Sequence, residues 1–323
     1  MTDTAAHAEP RPPALEGVIP ILVTPFAPDD SIDFEQLGRE IDFLAGCGIK
    51  WAGFGFGSEM PALGPDEALE LMEVAADRAG SRLSLIGNAE VTSTRAGVNA
   101  VRRAGTTGVE LVMLRPAGLG ECDQESLFEA LAEVSTASPV GCIIQDAPQN
   151  TGVNLTAQTL ARLLTEVPGV AAVKVEPRPS APKIGAIVEA LAGRPGTVLG
   201  GSGASDLIFE LDRGASGTMP GPALPDVLAE ICRLHGAGER TPAAALFRDY
   251  LPLAALGRGM ASFLFSQKYI LQLRGVLDEP RLRRPHGVID PQLKREIDTV
   301  LQAPALRQAV ERNRRYGSVP ISS

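Results

Sequence analysis

The segment Val170-Ala171-Ala172-Val173-Lys174-Val175-Glu176 sets one lysine at the end of a short apolar run. Side chains alternate faces along a strand, so Ala172, Lys174 and Glu176 point the same way and the lysine is walled by apolar groups. An ammonium buried without a partner costs several kcal/mol. Such a group either pairs, here with Glu176, or lowers its pKa toward the neutral amine. A neutral amine attacks ketones and aldehydes and gives a Schiff base. Taken alone, the window fits equally well an edge-strand lysine whose stem lies along the surface.

Working outward, the same kind of run recurs from Gly17 onward, each followed by an amphipathic stretch. The runs are Val18–Val23, Trp51–Gly55, Leu83–Gly87, Val109–Leu114, Val140–Gln145, Val170–Lys174, Thr197–Gly200 and Ser216–Met219. Between them, helical spacing predicts helices over Phe34–Cys47, Pro65–Ala79, Ser93–Ala104, Gln124–Ser135, Thr156–Thr165, Ala181–Leu191 and Ala204–Asp212, with Asp33 and Thr92 as N-caps. Strand and helix alternating at a roughly 30-residue period is the βαβ signature. Eight such units predict an α/β fold, a (β/α)8 TIM barrel. A doubly wound open sheet competes, but it usually has fewer strands and a switch-point glycine fingerprint that this chain lacks. After the eighth run, Ala223–Leu234, Thr241–Ala255, Met260–Arg274 and Asp290–Gln302 all read as helices. The expected organisation is a polar, Pro-rich disordered tail over 1–16, the barrel over 17–235 and a C-terminal helical extension over 236–323 packed on it. The tail has no apolar core of a signal peptide.

Composition bounds the chemistry. The 323 residues carry a net charge of −9, with 44% hydrophobic residues. No Lys/Arg block offers a basic footprint, so nucleic acid is not an expected partner, and no window is apolar enough to span a membrane. The four cysteines lack metal spacing, and their default is reduced thiols in a cytoplasmic protein. His7, His235 and His286 lie in the tail or late in the chain, which argues against histidine triads and zinc sites, and no metal or cofactor is expected. The expected ligand is a small molecule.

Barrel chemistry sits where strands end. Those ends are Thr24-Pro25-Phe26, Gly55 to Glu59, Gly87-Asn88, Arg115-Pro116, Gln145-Asp146, Lys174 to Glu176, Gly200 to Gly203 and Thr218-Met219. One lysine faces a ring of small, amide and acidic groups, which favours the Schiff-base reading over the surface one.

These residues resemble the dihydrodipicolinate synthase / N-acetylneuraminate lyase family of class I aldolase-type barrels, over roughly Gly17 to Leu301. The marks are Val23-Thr24-Pro25-Phe26 with Ile32-Asp33, Gly55 to Glu59, Asp146-Ala147-Pro148 with Thr151-Gly152, Val173-Lys174, and Gly214-Ala215-Ser216-Gly217. The resemblance implies a pyruvate-type 2-oxo acid held as an imine on Lys174, and a homo-oligomer, dimer or tetramer.

Departures from the family pattern narrow the activity. Its strand-five tyrosine is Gln145 here, its second tyrosine is replaced near Pro116 by Ala117-Gly118, its two threonines are Phe56 and Gly57, and the synthase's arginine falls at Asn150. An amide cannot shuttle a proton as a phenol can. Gln145-Asp146-Ala147-Pro148 and the Lys174-x-Glu176 spacing look more like the branch that includes 2-keto-3-deoxy-L-arabonate dehydratase. The expectation is therefore a lyase that dehydrates a 2-keto-3-deoxy sugar acid, against a pyruvate-dependent aldolase, a condensing synthase, or a non-catalytic 2-oxo acid sensor. Glu176 is the acid/base candidate or else a permanent counter-ion of Lys174, and Gln145 or Asp146 would hold a water. Gly57 and Ser58 would bind the substrate carboxylate, unless the turn is kept for shape. Glu59 would reach substrate or cap its turn. Gly201 and Ser202 read as a phosphate cradle or as a wall of a sugar-acid pocket, and Met219 as a further wall.

Overall fold

The computed structural model describes residues 15–314. The strands are β1 (Gly17–Val18), β2 (Trp51–Gly53), β3 (Ser84–Val91), β4 (Leu111–Pro116), β5 (Gly141–Asp146), β6 (Val170–Val175), β7 (Thr197–Gly200) and β8 (Gly217–Thr218). They pair in parallel in the order β1-β8-β7-β6-β5-β4-β3-β2, with an Ile21 to Gly53 bridge between the two end strands, and so form the expected barrel. The outer helices are α1 (Phe34–Gly46), α2 (Pro65–Ala79), α3 (Thr94–Ala104), α4 (Gln124–Thr136), the turn α5 (Pro148–Thr151), α6 (Ala157–Glu166), α7 (Ala181–Leu191), α8 (Leu207–Leu211) and α9 (Pro225–Gly236). Beyond them lie α10 (Arg240–Leu256), α11 (Met260–Leu273), α12 (Leu293–Val300) and α13 (Pro304–Arg314).

Alternation along the strands builds two cores. Ile19, Trp51, Ile86, Leu111, Met113, Ile143, Ala172, Leu199 and Met219 fill the barrel, joined by the buried Leu15. Val173 and Val175 face outward into the larger layer shared with the helices. Lys174 thus extends the inner row of Ala172, as its position predicts. Residues 1–14, most of the expected tail, lie outside the described residues.

Several expected boundaries move for identifiable reasons. The first run is not one strand: Pro20 has no N–H, and the chain changes partner, Ile19 N donating to Thr218 O at 3.0 Å and Leu22 N to Gly53 O at 2.8 Å. Helix α3 is capped by Ser93, whose hydroxyl accepts from Ala96 N, and not by Thr92. The stretch from Ala204 does not start a helix, because Ser202, Gly203 and Ala204 all have positive φ, and the helix begins at Leu207. Helix α13 lies within the expected C-terminal helical extension, beyond the last helix that the spacing predicts. Asp33 caps α1 as expected, accepting from Gln36 N at 3.0 Å.

The later helices are pinned to the barrel by a buried cation. Arg274, 1% exposed, makes 2.9 Å bonds to both carboxylate oxygens of Asp226 on α9 and to Ala223 O, under the ring of Phe43.

Candidate active site

At the ends of the strands a cavity of about 130 Å³ opens, lined by Lys174, Glu176 and Arg178 from β6 and its loop, Phe56 and Gly57, Ser202 and Gly203, and Met219. Its size suits a small organic acid, below the usual range of drug-sized pockets.

Lys174 is 4% exposed and its Nζ lies 3.2 Å from Glu176 Oε1. Three groups fix that carboxylate: Lys174 on one oxygen with the Ser202 N–H at 3.1 Å, and Gln145 Nε2 at 2.6 Å on the other. The loop itself is tied down, since Glu176 N donates to Asp146 O, while Gln149 Nε2 and the Ser202 hydroxyl each donate to Glu176 O at 2.9 Å. Gly201 is required by close approach: a Cβ there would fall 2.5 Å from Glu176 Cγ. Gln145 is fully buried and its Oε1 has no hydrogen-bond partner among the described residues.

Not every residue singled out from the sequence arrives here. Asp146 follows Gln145 on the strand and therefore faces the opposite way. It is buried behind the barrel wall, 2.6 Å from Lys183, with its carboxyl pushed up by desolvation against the pull of that lysine. Glu59 is turned from the cavity. It pairs with the buried Lys268 and accepts from Arg283 N at 3.0 Å, joining the strand-two turn to the C-terminal part of the chain. Ser58 does not reach the cavity either, because its hydroxyl is committed within the turn, donating to Leu22 O at 2.5 Å and accepting from Gly55 N at 3.1 Å. Gly57, Ser202 and Met219 do line it.

Other lining groups carried no sequence expectation: Gln149, Arg178, Gly257-Arg258, Met260 and Phe263. Arg178 stands two positions beyond Glu176 on the same loop, a spacing that could have flagged it. Phe263 lies 3.4 Å from where a Gly57 Cβ would stand and 3.5 Å from one on Gly203, so α11 packs across both loops. Tyr250 of α10 secures it further, its hydroxyl donating to Gly203 O at 2.8 Å. Phe56 is held by Arg115, whose guanidinium lies 4.7 Å from the ring centroid and pairs with Glu90.

The geometry therefore places one buried amine beside a fixed carboxylate at the cavity, a nucleophile and an acid/base group within reach of the same ligand. The model of the dihydrodipicolinate synthetase family matches residues 14–304. L-2-keto-3-deoxyarabonate dehydratase of Azospirillum brasilense is 27% identical over 292 residues, 88% of this chain and 93% of that protein. A 4-hydroxy-tetrahydrodipicolinate synthase of Acidobacterium capsulatum is 29% identical over 84% of this chain and 89% of its own length. The crystal structure of dihydrodipicolinate synthase from Rhodopseudomonas palustris superposes with a TM-score of 0.82 at 28% identity, over 89% of this chain and 97% of that one. No helix among the described residues is long and apolar enough to cross a membrane. The chain belongs to the dihydrodipicolinate synthetase family and is a small-molecule enzyme of the lyase class.

Proposed function

We propose that this lyase dehydrates a 2-keto-3-deoxy sugar acid through an imine at Lys174. The observation that carries the reading is the Glu176 carboxylate 3.2 Å from Lys174 Nζ, fixed by an amide where a phenol would be needed for other chemistry. The Lys174 amine adds to the C2 ketone and water leaves, giving an iminium that acidifies C3. Glu176 takes the C3 proton and the electron pair moves into an enamine. The C4 hydroxyl then departs as water, taking that proton back from Glu176, and hydrolysis of the imine frees the lysine. The 3,4-alkene tautomerises to the 2,5-dioxo acid as the protons on C5 and its hydroxyl move to C3 and C4. Gln145 orients Glu176 through Nε2. Net loss is one water.

In the family pattern a phenol takes or gives the hydroxyl proton of aldol cleavage and of the synthase reaction, and among the described residues neither Tyr250 nor Tyr269 lines the cavity. Tyr250 is spent on Gly203 O and Tyr269 on Asp298. The relatives' names include both a dehydratase and synthases, and the missing phenol favours the first. Borohydride reduction with pyruvate should add mass to the peptide holding Lys174, and NMR of a panel of 2-keto-3-deoxy acids should reveal a 2,5-dioxo acid. Release of pyruvate plus an aldehyde, or activity surviving Lys174→Ala, would overturn the reading. Ligand-induced thermal stabilisation with no product from any acid would favour a binding role. Homo-oligomeric assembly and a cytoplasmic place belong to the same proposal, and sedimentation checks the first.

A further inference from the structure

Cations outnumber acids around the cavity. Lys174, Arg178 and Arg258 line it against Glu176 alone, an excess of two positive charges in a chain whose net charge is −9. Glu176 bonds to neither arginine; its oxygens are engaged by Lys174, Gln145 and the Ser202 N–H. Neither Arg178 nor Arg258 has an ion-pair or hydrogen-bond partner among the described residues, and both are exposed, whereas Lys174 is buried. The lysine therefore marks the depth of the cavity and the two arginines its mouth.

They reach the mouth from separate parts of the chain. Arg178 follows Glu176 on the β6 loop. Arg258 lies in the turn between α10 and α11, which Phe263 and Tyr250 fasten to the loops after β2 and β7.

From this arrangement we propose that Arg178 and Arg258 select a dianionic substrate, a 2-oxo acid with a second carboxylate at the end remote from the oxo carbon. The inference rests on the imine at Lys174, which places C2 deep in the cavity and leaves the far end of a five- or six-carbon chain at the mouth. A monoanion would leave one of the two surplus charges unanswered, and a guanidinium recognises a carboxylate through paired N–H donors. Within the proposed reaction, the substrate is then an aldaric and not an aldonic 3-deoxy acid.

Imine formation alone tests the idea, so the test does not depend on which reaction follows. Borohydride trapping at Lys174 is titrated with 2-oxoglutarate and with 2-oxopentanoate, acids of equal chain length that differ in the distal carboxylate. The dianion should half-saturate trapping at a concentration lower by roughly tenfold or more, the worth of a charge-assisted hydrogen bond. In the Arg178→Gln, Arg258→Gln double variant that gap should close through weaker trapping of 2-oxoglutarate only. Neither side chain makes a hydrogen bond or ion pair among the described residues, and circular dichroism checks that the variant is folded. Equal half-saturation in the unaltered protein, a gap that survives the double substitution, or equal weakening of both acids would each overturn the proposal. If no 2-oxo acid labels Lys174 at all, the imine reading itself fails and this inference fails with it.

Discussion

Gln145 Nε2 donates to Glu176 Oε2 across 2.6 Å, binding the end of β5 to the loop after β6 at the point where Glu176 Oε1 meets Lys174. The amide has thus become the orienting partner of a carboxylate. Removing the partner and removing the carboxylate should have different consequences. Glu176→Gln is expected to lower kcat by about 10²- to 10⁴-fold, the usual worth of a positioned acid/base. Gln145→Ala should lower it less, because the Ser202 N–H and Lys174 still hold the carboxylate. Both variants should still form the reducible imine, and rapid quench of the trapping reaction separates imine formation from turnover.

Gly201→Ala should act at a distance from the substrate. The added methyl would meet Glu176 Cγ at 2.5 Å, so the carboxylate must move away from Lys174 or the loop must open. Turnover should drop by about tenfold or more with little change in thermal midpoint, since a 1 Å misplacement at a reacting centre is costly. Calorimetry together with kinetics checks the split.

Arg274→Met tests how the C-terminal helices are held. It leaves the Asp226 carboxylate without its two 2.9 Å partners in a largely buried site. Breaking one side of a buried pair costs about 3–5 kcal/mol, with the lower end expected here because Asp226 keeps some access to water. Denaturant titration measures the loss. An Arg274→Met, Asp226→Leu double variant should recover part of it.

Stability should also depend on Glu40. Full burial pushes its carboxyl up to about 8, against the pull of the Val23 N–H and Lys268. Between the unfolded value of 4.5 and about 8 the folded chain holds a proton there that the unfolded chain has lost. Stability from this group is therefore highest below pH 4.5 and falls as pH rises toward 8, by an order of a few kcal/mol at most. Glu40→Gln, which can keep an oxygen for the Val23 N–H, should flatten that slope in urea titrations at pH 5 and pH 8.

Much of this protein was legible from its sequence, because the rules that applied were local. The period-2 alternation around Lys174 assigned its face, and the recurrence of strand and helix decided the barrel. The same periodicity could have excluded Asp146 once Gln145 was placed, since neighbours on a strand face opposite ways. Tertiary structure alone decided the rest. Glu59 and Ser58 stand at a strand end like the true lining residues, yet one is drawn off by Lys268, 209 residues later, and the other by Leu22. The mouth likewise joins Arg178 to an α10–α11 turn that no spacing connects to it. Charge pairing and packing of this kind depend on which segments meet in space, and a linear pattern carries no information about a partner two hundred residues away.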